Sequence, residues 1–362
     1  MRPRRSAIST IAIAIAIACA GSMSLAWGAE KSARKISLKA VDSWGYQLQN
    51  VRSRLVAKDK FDVLVVDYSR DGTEARAFSR EAVARMRHRG SEPERIVLAY
   101  LSIGEAEAYR YYWQPSWTSA ADKTLSSAGL KGFRGAPDGN SIGVKDSNIP
   151  MAKVTSVAPP WLAAENPAWR GNHLVRYWDP GWQNIIFGSP SAYLDKIIDA
   201  GFDGVYLDKI DSNDDWQATR PTAERDMVEF VKTLAAYARA RQRGFLIVPQ
   251  NAEELLKHKD YLQTIDAIAK EDLLYGGGQR KDGEVNPKSE IQLSKRYLNM
   301  ALKAGRKVLV VEYLSELNTI VRANLHITAS GYVPFFARRA LDEPPETVPD
   351  GATARGAGPV TE

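Results

Sequence analysis

The chain has 362 residues, 44% of them hydrophobic, with 49 Lys and Arg against 43 Asp and Glu for a formal charge of +6. That apolar content supports a large core, and the bases are interspersed with acids, a solvated surface with no footprint for nucleic acid. One cysteine, and four histidines (His88, His173, His258, His326) without metal-ligand spacing, argue against a disulfide framework and a zinc site.

Residues 1–29 have the pattern of an export leader. Arg2, Arg4 and Arg5 precede the apolar run "AISTIAIAIAIACA", and a small-residue cleavage site, "AWG", stands before Ala29. The run is short for a membrane span and no comparable segment follows, so the sequence predicts a secreted or periplasmic protein with no stable membrane span after leader removal. Cys19 follows "AIA" as a lipidated cysteine would, but without the usual leucine three residues earlier. Its loss with the leader is the expectation, and lipid anchoring through it the alternative.

From there on one unit recurs: a helical pattern, a glycine, then an apolar strand. "ARMRHRG" leads to "RIVLAYLS", "AYLDKIIDAG" to "FDGVYLD", "LAAYARARQRG" to "FLIVPQN" and "YLNMALKAG" to "RKVLVVEY". Glycines 90, 201, 244 and 305 sit where helices end in a left-handed cap. A helix around 222–242 places Met227, Val231, Leu234 and Ala238 on one face. The pattern predicts eight strands, at 44–48, 63–67, 96–102, 204–208, 245–250, 267–271, 307–312 and 331–335, buried on both faces. Strands alternating with helices imply an α/β fold, a single-domain (β/α)8 TIM barrel over residues 30–340. A doubly wound open sheet is second, weakened by the lack of a glycine-rich phosphate fingerprint. Residues 105–189 break the repeat and read as a long loop insertion after strand 3, partly helical near "EAEAYRYYW". Residues 341–362 read as a disordered tail, and a monomer is expected.

The strand ends carry the chemistry. In order they present Gln47 and Gln49; Asp67 and Ser69; Ser102 and Glu105; Asp208 and Asp211; Gln250 and Asn251; Glu271 and Asp272; and Glu312. In a β/α barrel these would converge on one mouth. Two carboxylates there can cleave a glycosidic bond, one donating a proton and the other acting as nucleophile or base. Tyr46, Tyr68, Tyr177, Trp178, Trp182 and Tyr275 are candidate platforms for sugar rings. "GNSIG" at 139–143 matches a nucleophile-elbow string but has no strand before it. "DSNDDW" from Asp211 begins like a calcium loop but has Trp216 where glycine is needed. No cofactor and no metal site is expected.

These residues carry a resemblance. "VLAYLSIGEAEAYRYYW" (97–113), "PPWLAAENPAWRGNHLVRYWDPGWQ" (159–183), "GFDGVYLDKID" (201–211) and "AKEDLLY" (269–275) are similar to endo-α-1,4-polygalactosaminidase-type glycoside hydrolases, family 114 in the usual carbohydrate-enzyme classification. The resemblance runs over about residues 44–340. It implies a (β/α)8 barrel acting on galactosaminoglycan, with Asp208 as nucleophile or base and Glu271 as general acid. The chain departs from the family at "DSNDDW" and in the stretch 118–156.

An amino-sugar polymer is cationic, so an acidic cleft is expected from Asp208, Asp211, Asp214, Asp215, Glu271 and Asp272. Alternation would turn Lys209 and Lys270 to the opposite face, unless the strand ends curl. The expected partner is a polysaccharide. The alternatives are a barrel that binds glycan without cutting it, and a metal-dependent ester or amide hydrolase acting on a polysaccharide.

Overall fold

The structure, a computed structural model, describes residues 37–53, 60–90, 93–119, 151–278 and 280–344. The predicted leader, "GNSIG" and the predicted tail beyond residue 344 lie outside the described residues. The strands are β1 (Trp44–Gln47), β2 (Val63–Val66), β3 (Ile96–Ser102), β4 (Glu105–Glu107), β5 (Leu162–Glu165), β6 (Asn172–Val175), β7 (Gly204–Asp208), β8 (Leu246–Pro249), β9 (Ala267–Glu271), β10 (Lys307–Tyr313) and β11 (Val333–Ala337). Apart from β4, β5 and β6, they match the eight predicted strands to within two residues.

Parallel pairing runs through β1–β2–β3–β7–β8 and through β9–β10–β11. A parallel bridge from Gln250 to Ala269 joins β8 to β9. Between β11 and β1 the indole of Trp44 donates to the Val333 carbonyl at 3.0 Å, and Leu48 N donates to Leu341 O at 2.9 Å. The eight strands thus follow chain order around the (β/α)8 barrel.

Alternation along each strand separates two cores. Inward side chains, among them Tyr46, Val65, Leu98, Tyr206, Val248, Ala269 and Val311, fill the barrel. Outward ones, such as Leu64, Val97, Leu101, Val205, Leu207, Ile247 and Val310, pack beneath the helices. The helices are α1 (Arg80–Arg87), α2 (Pro180–Ile186), α3 (Tyr193–Asp199), α4 (Ser212–Gln217), α5 (Ala223–Arg241), α6 (Lys259–Thr264), α7 (Lys288–Lys303) and α8 (Leu317–Ala329). Met227, Val231, Leu234 and Ala238 of α5 are all buried, as their spacing predicts. The four cap glycines adopt φ of 67°, 86°, 79° and 73°, which a β-carbon would disfavour. No helix among the described residues is long and apolar enough to cross a membrane.

The insertion differs from expectation. "EAE" is strand β4, not helix, and pairs antiparallel with β6, which also pairs with β5. Tertiary partners override the helical propensity of this stretch: Glu105 meets Asn166, Asn172 and Lys209, while Glu107 meets Arg110. The small sheet starts at Gly104, where a β-carbon would lie 2.1 Å from the Lys209 carbonyl oxygen. Only glycine lets the insertion leave the barrel so close to the end of β7.

Candidate active site

Three neighbouring strands end in the same way. Asp208 and Glu271 close β7 and β9, Gln250 directly follows β8, and the next residue in each case, Lys209, Asp272 or Asn251, has a positive φ of 60°, 53° or 60°. Left-handed backbone at a non-glycine residue costs about 1 kcal/mol or more, and such strain gathers at functional sites. Here it breaks strand alternation. Asp208 and Lys209 therefore both line the mouth, although period-two spacing would send Lys209 to the opposite face.

The Gln250 side chain spans the two central carboxyl groups. Its amide nitrogen donates to Asp208 Oδ1 at 3.2 Å and to Glu271 Oε2 at 2.5 Å. Each carboxyl group also accepts from a tyrosine on an adjacent strand: Tyr100 OH to Asp208 Oδ2 at 2.6 Å, and Tyr313 OH to Glu271 Oε1. The Lys209 backbone N–H donates to Asp208 at 2.7 Å, and Asn251 Nδ2 to Glu271 at 3.1 Å. Asn251 Oδ1 accepts in return from the Glu271 N–H at 3.0 Å. Every carboxyl oxygen of the pair has a donor, so rotamer freedom is small.

The pair stands in a cleft of about 790 Å³ at the C-terminal ends of the strands. Its lining includes Tyr46, Asp67, Glu105, Lys209, Asp211, Gln250 and Asn251, all singled out from the sequence, together with Tyr100, Glu107, Tyr109, Trp169, Asn172, Tyr313 and Arg339. Burial, then the charge of the facing Glu271, push Asp208 up to about 7. Burial raises Glu271 as well. Two adjacent carboxyl groups in a low-dielectric site resist ionising together, so the pair retains a proton near neutrality. That is the electrostatic requirement for joint acid and nucleophile chemistry.

Residues 141–353 match the model of glycoside-hydrolase family GH114. The chain belongs to this family. An uncharacterised protein of Methanocaldococcus jannaschii is 36% identical over 317 residues, 83% of this chain and 77% of that one. Another, from Deinococcus radiodurans, is 33% identical over 314 residues, 86% of this chain and 84% of the relative. Among solved structures, the glycoside hydrolase domain of PelA from Pseudomonas aeruginosa superposes with a TM-score of 0.55 at 18% identity, over 84% of this chain and 97% of that domain. Ega3 of Aspergillus fumigatus, in complex with galactosamine, gives 0.53 at 17% identity, over 83% of this chain and 93% of that one. At these identities the structural likeness is one of fold. Membership of GH114 makes the chain a glycosidase.

Several candidates lie outside the lining of this GH114 cleft. Tyr68 packs edge-on against Tyr193 at 4.8 Å, in the layer between barrel and helices. The Tyr177 hydroxyl donates to Ala223 O, and Trp178 packs against Trp216 and the Arg220 guanidinium. Trp182 is buried and donates to Ile103 O at 2.8 Å. Ser102 donates to the Glu105 carbonyl. Glu312 is fully buried and accepts from the N–H groups of Leu274 and Tyr275 at 2.7 and 3.2 Å, pinning the segment after β9. Burial pushes it up to about 8. Asp272 is clamped by Arg339 at 2.9 and 3.1 Å. Asp214 and Asp215 belong to α4, into which "DSNDDW" winds instead of a calcium loop. The cleft is therefore mixed in charge, not uniformly acidic.

Tyr100 and Tyr313 escaped notice in the sequence. Tyr100 shares strand parity with Ser102, a usable signal, but its reach to Asp208 depends on the register pairing Ser102 with Asp208. Tyr313 reaches Glu271 likewise, through the register that pairs Val311 with Glu271.

The raised Asp208 carries a consequence for stability. Its proton is held more tightly in the folded chain than in the unfolded one, so stability falls as pH rises from about 4 to 7 and stays lower above. Asp208→Asn removes that slope. The variant should match wild type near pH 4 and exceed it by about 1–3 kcal/mol at pH 8, read by urea unfolding at both values. A wild-type chain no less stable than the variant at pH 8 would contradict the strained pair.

Proposed function

We propose that the chain is an exported endo-acting glycosidase that cuts an α-1,4-linked, partly deacetylated amino-sugar polysaccharide. The mature enzyme is a single barrel domain from residue 30 to about residue 340, working as a monomer after loss of residues 1–29. Asp208 is the nucleophile and Glu271 the general acid. One observation carries the assignment: a single Gln250 nitrogen bonded to both carboxyl groups at the floor of the cleft. A pair so closely held leaves no room for the water that separates inverting carboxyl groups, roughly 6.5–9.5 Å apart, and fits the ~5–5.5 Å spacing of retaining enzymes.

In the retaining course, Glu271 protonates the leaving oxygen while Asp208 attacks the anomeric carbon. Water, deprotonated by Glu271, then releases the sugar. A cationic sugar beside Asp208 would favour its ionised form and leave the retained proton on Glu271. Tyr46, Tyr100 and Tyr313 line the floor of the cleft, where the hydroxyls of Tyr100 and Tyr313 hold the two carboxyl groups in place. The Ega3 complex with galactosamine supports the choice of amino sugar.

The test is cleavage of partly deacetylated galactosaminoglycan by the mature domain, with product sizing and the anomer of the first product read by NMR. Internal cuts with α-anomeric product are expected, and excess chelator should leave the rate unchanged. Loss of activity with chelator would favour the metal-dependent hydrolase. Polymer binding with no product would favour a lectin-like barrel.

A further inference from the structure

The charges around the cleft pair off unevenly. Asp67 and Glu107 both contact the buried Arg110, Glu105 and Asp211 flank Lys209 at 3.4 and 3.5 Å, Arg170 holds Glu165, and Arg339 holds Asp272 and Asp282. Three further guanidinium groups line the cleft, Arg52 after β1 and Arg70 and Arg76 after β2, all exposed. Arg76 is paired with Asp71, its Nε 3.7 Å from Oδ2, while Thr73 donates to the other oxygen, so one negative charge stands among the three guanidinium groups. Arg52 and Arg70 have no carboxylate partner among the described residues. The backbone fixes the last two side by side: Arg70 N donates to Arg76 O at 3.1 Å, and Ser69 bridges Ala77. In the strand order, this end of the mouth lies across the barrel from β8 and β9.

We propose that Arg52, Arg70 and Arg76 form a subsite for a sugar carboxylate, so that the substrate is a mixed polymer in which amino sugar adjoins uronate. Net positive charge at one end of a cleft, here three guanidinium groups against Asp71, concentrates an anionic ligand there. The planar guanidinium fork matches a carboxylate better than a neutral hydroxyl. Asp211, partly exposed in the cleft lining after β7 with Lys209 at 3.5 Å, suits the ammonium of the neighbouring unit. The two ends together set the direction in which such a chain lies. This inference rests on the amino-sugar glycosidase proposed above and extends it to the neighbouring unit.

The test is calorimetric titration of the mature wild-type protein with a trimer of α-1,4-linked galacturonate, its methyl ester and a sulfated neutral galacto-trimer. The acid should bind at least about tenfold tighter than the ester, as expected for two or three exposed charge contacts, and its affinity should fall with added salt. The Arg52→Gln/Arg70→Gln variant, altered only at exposed positions, should lose that preference. Equal affinity for acid and ester, an unchanged preference in the variant, or stronger binding of the sulfated trimer would overturn the carboxylate subsite. Cleavage of galactosaminoglycan, measured alongside, separates the two levels. Cleavage with no preference for the acid refutes the subsite alone, whereas neither cleavage nor oligomer binding refutes the parent proposal.

Discussion

Asp208→Asn and Glu271→Gln are each expected to lower the rate of polymer cleavage by at least about 10³-fold while the barrel still folds. Both replacements keep size and a hydrogen-bonding oxygen, so the contacts with Tyr100 and Tyr313 have a partner left. The double variant should be little worse than either single one, because the two groups act as a unit. Added azide separates their roles. In Asp208→Asn it would attack the anomeric carbon directly and give an inverted glycosyl azide. In Glu271→Gln it would attack the glycosyl-enzyme and give a retained one. Glu271→Gln should also keep activity on aryl glycosides, whose leaving groups need no proton. Full polymer cleavage by either variant would discard the assignment.

The second large effect is expected at Arg110, whose side chain is fully buried. It bonds Glu107 at 2.6 Å and Asp67 at 2.8 Å and lies 4.7 and 5.2 Å from the ring centres of Tyr109 and Tyr193. One guanidinium thus ties the end of β2 to the inserted sheet and to α3. Arg110→Met leaves two buried carboxylates without a counter-charge, a loss of about 3–5 kcal/mol by analogy with broken buried pairs. The cost should be greatest at neutral pH and shrink near pH 4, where the orphaned carboxylates can take up protons. Urea unfolding at both values measures it. Combining Arg110→Met with Asp67→Asn and Glu107→Gln should recover most of the stability, since a neutral set needs no compensation. Equal losses at both pH values, or no recovery in the combined variant, would mean that packing rather than charge holds this wall.

Much of the site was legible because β/α barrels deliver strand ends to one face. Asp208, Gln250, Asn251 and Glu271 follow from strand boundaries, and those boundaries follow from apolar runs bounded by cap glycines. The aromatic candidates fared differently. Tyr177 and Trp178 sit between apolar and polar neighbours in a segment without periodicity, so nothing local distinguishes a sugar platform from a packing ring. In the fold they pack against α4 and the start of α5. The clamping of Asp272 by Arg339, 67 residues away along the chain, had no local signal at all.

What the chain determined by itself was the order of strands and helices and the identity of the residues at each strand end. Hydrophobic period and helix caps are local properties, written into a few consecutive positions. What only the tertiary structure decided was which polar ends meet. Ladder register aims Tyr100 and Tyr313 at the two carboxyl groups, left-handed turns swing Lys209 into the mouth, and an inserted sheet closes one wall through Arg110. Those outcomes depend on contacts between segments far apart in sequence, whose free energies exist only once the barrel has formed.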